Sequence, residues 1–179
     1  MSPEASKDRV ETSESVGRLG PLTDLVIQRL RVSEDVAASK FGTGSPIDDP
    51  AREQQLLEQV RRQAGALGLD PVSVTAFFQD QITASKVVQK GLFARWSAHP
   101  AEVPTTRPDL GQIRTRLDQL TEDLLRELKH TVRLRDEPTA CPVQLALAAG
   151  SGAVLQRLDS LHRQALMGAL HSVCAAPMN

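Results

Sequence analysis

The stretch PLTDLVIQRLRVSEDVAASKF, residues 21–41, decides the fold. Leu22, Leu25, Val26, Leu30, Val36 and Ala37 recur at helical spacing, and Pro21 sits where its missing N–H costs nothing. At 100° per residue, positions seven or eleven apart lie within about 20° of each other around a helix. Arg29 is seven after Leu22 and seven before Val36, and Lys40 is eleven after Arg29. Two cations therefore lie on the face that Leu22, Val26 and Val36 mark as inward, with small Ser33 between them.

Outward from that helix, the rest of the chain also reads as helical. GTGSPIDDP is a loop, and Asp49-Pro50 supplies an N-cap and first-turn proline for a second helix over roughly 50–67, ended by Gly68. Asp70-Pro71 repeats the signal for a third helix running to about Ser97. HPAEVPTTRP is a loop, and Asp109 caps a fourth long helix to about Arg133. A short fifth helix is expected over 141–149, with Ser151 starting a sixth that runs to about Cys174. Residues 1–19 are polar, carry little apolar content and read as a flexible tail, leaving 20–179 as one helical domain. The expectation is an all-α, single-domain bundle of five to six helices, three of them long.

Composition supports this and removes several functional classes. The 179 residues hold 21 Lys plus Arg against 22 Asp plus Glu, with no basic excess for a nucleic-acid surface. Aromatics are 3%, too few to stack bases or to favour long strands. No apolar run approaches the ~20 residues of a membrane span, so neither nucleic acid nor membrane is expected as a partner. The start of the chain lacks the apolar core of a signal peptide, and Cys141 and Cys174 are compatible by count with free thiols or one disulfide. His99, His130, His162 and His171 have no metal-ligand spacing, and no phosphate loop, nucleophile elbow or dinucleotide fingerprint occurs, so no metal or cofactor is expected. His162 and His171 read as surface or packing residues, and Trp96 as a packing anchor.

The same helical projection puts polar groups on three further apolar stripes. Ser85 and Gln89 share one with Phe78, Ile82 and Leu92; Arg114 falls in line with Leu110, Leu117 and Leu125. Glu53 aligns with Leu57, Val60 and Ala64, with Arg52 beside it. One long cation can snorkel to the edge of its stripe. A group of them is harder to dismiss, because uncompensated buried cations are costly and Glu53 is the single carboxylate among them. The spacing thus predicts a cationic pocket inside a bundle, completed by a small dianion.

These residues in this order resemble the all-α chorismate mutases: Arg29, Lys40, Asp49, Arg52-Glu53, Ser85, Gln89 and Arg114. IRTRLDQLTEDLLREL from Ile113 is similar to the first-helix signature of the minimal intracellular members, while the layout is similar to the longer secreted or periplasmic subclass. QRL around Arg29, PIDDPAR, FFQDQITAS and LDSLHRQAL carry that likeness, which covers about residues 20–175. The resemblance implies rearrangement of chorismate, a dicarboxylate, to prephenate. Arg29, Arg52 and Arg114 would clamp the carboxylates with help from Ser85. Lys40 and Gln89 would donate to the ether oxygen, and Glu53, with the backbone near Asp49, would accept from the ring hydroxyl. Many secreted members have Glu at the position of Gln89, a departure that implies different pH behaviour here.

The likeness also implies a Cys141–Cys174 disulfide and a periplasmic or secreted location, with the cytoplasm as the alternative. A homodimer through Leu155, Leu158, Leu161, His162, Ala165 and Leu166 stands beside ordinary packing of those residues. Two other functions stay open at this point: an isochorismate pyruvate-lyase on the same scaffold, and a non-catalytic helical binding module. The Arg52-Glu53 pair and the two-cysteine extension favour the mutase over the lyase.

Overall fold

The computed structural model describes residues 15–175. Seven α-helices make up the described chain: α1 (Gly20–Lys40), α2 (Pro50–Ala66), α3 (Pro71–Ala98), α4 (Leu110–His130), α5 (Val132–Arg135), α6 (Ala140–Leu155) and α7 (Ser160–Ala169). That is one or two more than the expected five to six; α1, α3 and α4 are the three long ones. The local reasons are those the residue types dictate. Asp49, Asp70 and Asp109 each accept a first-turn backbone N–H with the side chain, and Pro50 and Pro71 follow two of them.

α1 and α3 form the centre. α1 packs against α3 and α4 and also meets α6 and α7, while α3 packs against α2 and α7. Leu22, Val26 and Ile27 of α1 bury completely with Phe78 and Val88 of α3 and Leu124 of α4. Phe77 and Phe78 meet edge-on, centroids 5.3 Å apart. Trp96 is the expected packing anchor: with Phe93 it takes the ring of Phe41 edge-on, at 5.4 and 5.2 Å. That contact fixes the end of α1, where Lys40 lies. Arg107 reinforces it by donating to the carbonyls of Ala38 and Phe41, at the negative end of the helix.

The C-terminal third departs from the expectation. Ser151 does not start a helix; α6 continues to Leu155 and the break falls at Arg157, whose φ is +52°. Asp159 is the true cap, accepting from the backbone N–H of His162 at 2.9 Å. Gly152, inside α6, serves close approach: a Cβ there would collide with Ser15 and come within 2.9 Å of Ile27. Cys141 and Cys174 are joined by a disulfide that closes a separation of 33 residues. In the chain-entropy model a loop of that size contributes about 3–4 kcal/mol.

The expected flexible tail over 1–19 lies outside the described residues as far as residue 14. Residues 15–19 are docked. Ser15 donates its backbone N–H to Asp24 at 2.9 Å, Val16 donates to Ser151 at 2.8 Å, and Leu19 is fully buried. Ser15 buries because its side chain reaches the space that Gly152 of α6 leaves open beside Ile27 of α1.

His162 does pack in the interior, but as a charged link. Its Nε2 lies 2.6 Å from Glu34 of α1 and its Nδ1 2.6 Å from Asp159, so the ring ties α7 to α1. The close pairing with Glu34 raises the pKa of His162 above its ordinary value despite burial, and the same pairing holds Glu34 below its own. The imidazolium's stabilising contribution is complete below the free histidine value and fades as pH rises through the raised one. That of Glu34 fades at the opposite, acid end. Thermal melts from about pH 6 to about pH 9 should therefore show a fall in Tm that is smaller in His162→Gln. Equal pH slopes for the two proteins would show that the link contributes nothing.

Candidate active site

A cavity of about 270 Å³ lies among α1, α2, α3 and α4. Arg29, Lys40, Asp49, Arg52, Glu53, Ser85 and Gln89 all line it, drawn from three helices and the cap of α2. Seven of the eight residues expected at the site from spacing and resemblance are thus in one place. Their depth differs: Arg29 is 7% exposed and Gln89 5%, whereas Arg52 and Asp49 stand at the mouth.

Arg29 is the deepest charge. One guanidinium nitrogen donates to the carbonyl of Gln81 at 3.1 Å, and its Nε is buried with no partner. Burial pushes its pKa down to about 10. Lys40 is also lowered, chiefly by burial, with Asp49 acting against the shift. Among the described residues neither Arg29, Lys40 nor Arg52 forms an ion pair. For buried Arg29 this lack of a partner is costly, and a bound anion would offset the cost.

The floor of the cavity is a chain of neutral hydroxyls and an amide. The Ser33 and Ser85 hydroxyls are 2.8 Å apart, and Gln89 donates from Nε2 to Ser85 Oγ at 3.0 Å. Gln89 Oε1 is left buried without a partner. At the other wall Glu53 is held on both oxygens: one accepts the backbone N–H of Asp49 at 2.9 Å, the other meets Lys86 Nζ at 2.6 Å. Arg52 projects from the same first turn, where its own N–H is taken by the Asp49 side chain at 3.2 Å.

Two expectations need correction. Arg114 does not line the cavity and is exposed. Its stripe is inward only from Leu117 onwards: at the start of α4 the buried residue is Ile113, which packs with Val32 of α1, while Leu110 is 49% exposed. α4 instead contributes Leu117, Asp118 and Thr121, and Arg114 lies one helical turn before Asp118. Nor is Glu53 the single acid among the cations. The lining carries Arg29, Lys40, Arg52 and Lys86 against Asp49, Glu53 and Asp118, a surplus of one positive charge. Lys86 and Asp118 were missed because each lies beside its apolar stripe, and helical projection flags only polar residues within it. The binding-module alternative, with its cations at stripe edges, does not suit Arg29, which is enclosed.

Comparison with known proteins points the same way. The family model "Chorismate mutase type II" matches residues 21–90. The secreted chorismate mutase of Mycolicibacterium smegmatis is 36% identical over 163 residues, 91% of this chain and 90% of that protein. The secreted chorismate mutase of Mycobacterium tuberculosis is 33% identical over 164 residues, 92% of this chain and 82% of that one. A crystal structure of chorismate mutase from Burkholderia thailandensis superposes with a TM-score of 0.83 at 42% identity, covering 88% of this chain and 99% of that chain.

If Arg29 is kept for a ligand and not for the fold, replacing it with an apolar side chain of similar length should not weaken the protein. Arg29→Met should raise Tm by about 2–4 °C, the shift that about 1 kcal/mol makes in a domain of this size. The same variant should no longer be stabilised by a small dicarboxylate in a thermal scan. A large fall in Tm would instead mark Arg29 as a structural residue.

Proposed function

Because the chain belongs to the chorismate mutase family, we propose that its cationic cavity converts chorismate to prephenate by selecting one conformer and stabilising charge on the breaking ether bond. The observation that carries this reading is the burial of Arg29 without an ion pair, beside half-buried Lys40 and a neutral amide, in a lining with one surplus positive charge. The reaction is unimolecular. The ether C–O bond breaks as a new C–C bond forms within the same molecule, and no proton changes hands. The protein's part is to hold the dicarboxylate with its reacting ends together and to meet the charge that grows on the ether oxygen.

Arg29 and Arg52 would take the two carboxylates, their planar forks suiting bidentate contacts, with the Ser85 hydroxyl beside them. Arg114, one turn before the lining residue Asp118, would reach over once a carboxylate is present to receive it. Lys40 and Gln89 would donate to the ether oxygen. A half-turn about the last torsion of Gln89 would let Oε1 accept from Ser85 and aim Nε2 into the cavity, relieving the unpartnered oxygen. Glu53 would accept from the ring hydroxyl, held in place by the Asp49 backbone. The Cys141–Cys174 disulfide and the secreted relatives support export to the periplasm or outside the cell.

Spectrophotometric loss of chorismate by the purified protein tests the reading directly; no turnover would end it. Within it, Lys40→Ala should lower kcat by about 100-fold or more and raise KM by less than about tenfold, since the contact strengthens in the transition state. An unchanged kcat would remove Lys40 from the mechanism. The neutral amide of Gln89 needs no proton to donate, so wild-type activity should be nearly flat from about pH 5 to about pH 8. Gln89→Glu should be active only where its carboxyl is protonated, with activity failing toward high pH. A steep wild-type loss within that range would contradict the role given to Gln89.

A further inference from the structure

Lys86 lines the cavity from α3, next to Ser85 and one turn from Gln89, yet its ammonium is already committed. Nζ is 2.6 Å from Glu53 Oε1 and 2.9 Å from Asp48 Oδ1, with the other Asp48 oxygen 3.9 Å from Lys90. The two contacts differ in weight. Asp48 is 57% exposed and an ion pair there is worth little, whereas the Lys86 and Glu53 side chains are 25% and 21% exposed and face an enclosed space. The hydrogen bond to Glu53, followed by that to Asp48, holds the Lys86 ammonium more firmly protonated than usual. Without Lys86 the lining would hold three cations and three carboxylates, and Glu53 would meet an incoming dianion without its ion pair.

We propose that Lys86 is a positioning residue for the rearrangement: by pairing with Glu53 it aims that carboxylate at the ring hydroxyl and cancels its repulsion of the substrate. This rests on the chorismate mutase reading of the cavity. Lys86 completes a clamp in which the Asp49 backbone N–H holds one Glu53 oxygen and the ammonium holds the other, so the acceptor is fixed before the substrate arrives. The hydroxyl is held in ground state and transition state alike, so the effect falls on KM more than on kcat.

The test is a double-mutant cycle on chorismate turnover with wild type, Lys86→Met, Glu53→Gln and the double variant, together with Lys86→Arg and a Tm for each protein. Lys86→Met should raise KM about tenfold with kcat within about threefold, and Lys86→Arg should recover most of the loss. In the Glu53→Gln background the same Lys86→Met change should raise KM by less than about twofold, because the group it acts through is gone. An equal loss in both backgrounds would show that Lys86 touches the substrate itself or only supports the fold. An unchanged KM in Lys86→Met would overturn the proposal while the mutase reading stands. Absence of chorismate turnover by wild type would remove that reading and the proposal with it.

Discussion

A guanidinium buried with no carboxylate beside it is the constraint around which this molecule is arranged. Arg29 sits among the core positions of the central helix, where apolar neighbours would be more stable, and gives up part of its basicity to stay there. Folding energy is spent at one point so that binding energy is available at the same point. Lys40, one face and eleven residues away, repeats the arrangement in milder form. Two such cations on a single helix, neither held in an ion pair, suit a compact, doubly negative guest.

Much of the remaining architecture keeps that helix from relaxing. Arg29 is held through the carbonyl of Gln81, and the Gln81 side chain in turn donates to the carbonyl of Ala169 at the end of α7, at 2.7 Å. α7 is tied to α1 by His162 and its following segment is stapled to α6 by the disulfide. The C-terminal elements contribute no residue to the cavity lining, yet they stand behind its deepest charge. At the other end of α1 the Phe41, Phe93 and Trp96 rings and the two hydrogen bonds from Arg107 hold the turn carrying Lys40. Preorganisation of this kind suits a reaction with no proton transfer, where positioned charge is all the protein supplies.

How much of this was legible beforehand follows from what a helical projection can see. Asp-Pro pairs at 49–50 and 70–71 mark helix starts because both residues act within the first turn, and the structure has helices there. Arg29, Lys40, Ser85 and Gln89 stood out because they interrupt apolar stripes whose partners really are adjacent. Arg114 fits its stripe equally well and is exposed, since a projection does not reveal which face each turn presents to its neighbours, and here Ile113 takes the buried place. Ser151 reads as a helix start and lies inside α6 for a similar reason: a small residue suits either place, and only the packing of Ser15 and Ile27 against the neighbouring Gly152 decides between them. Lys86, off its stripe, became visible only when Glu53 and Asp48 were seen to converge on it.

The claim that unpaired cations await a dianion is tested most directly by calorimetric titration of the protein with a rigid bicyclic diacid shaped like the rearrangement's transition state, beside its monomethyl ester. The account predicts one site per chain and binding of the diacid at least about 100-fold tighter than of the ester, a gap that narrows as salt is added. Equal affinities for the two, or a gap indifferent to salt, would mean that the charges of Arg29, Lys40 and Arg52 are not what the cavity uses.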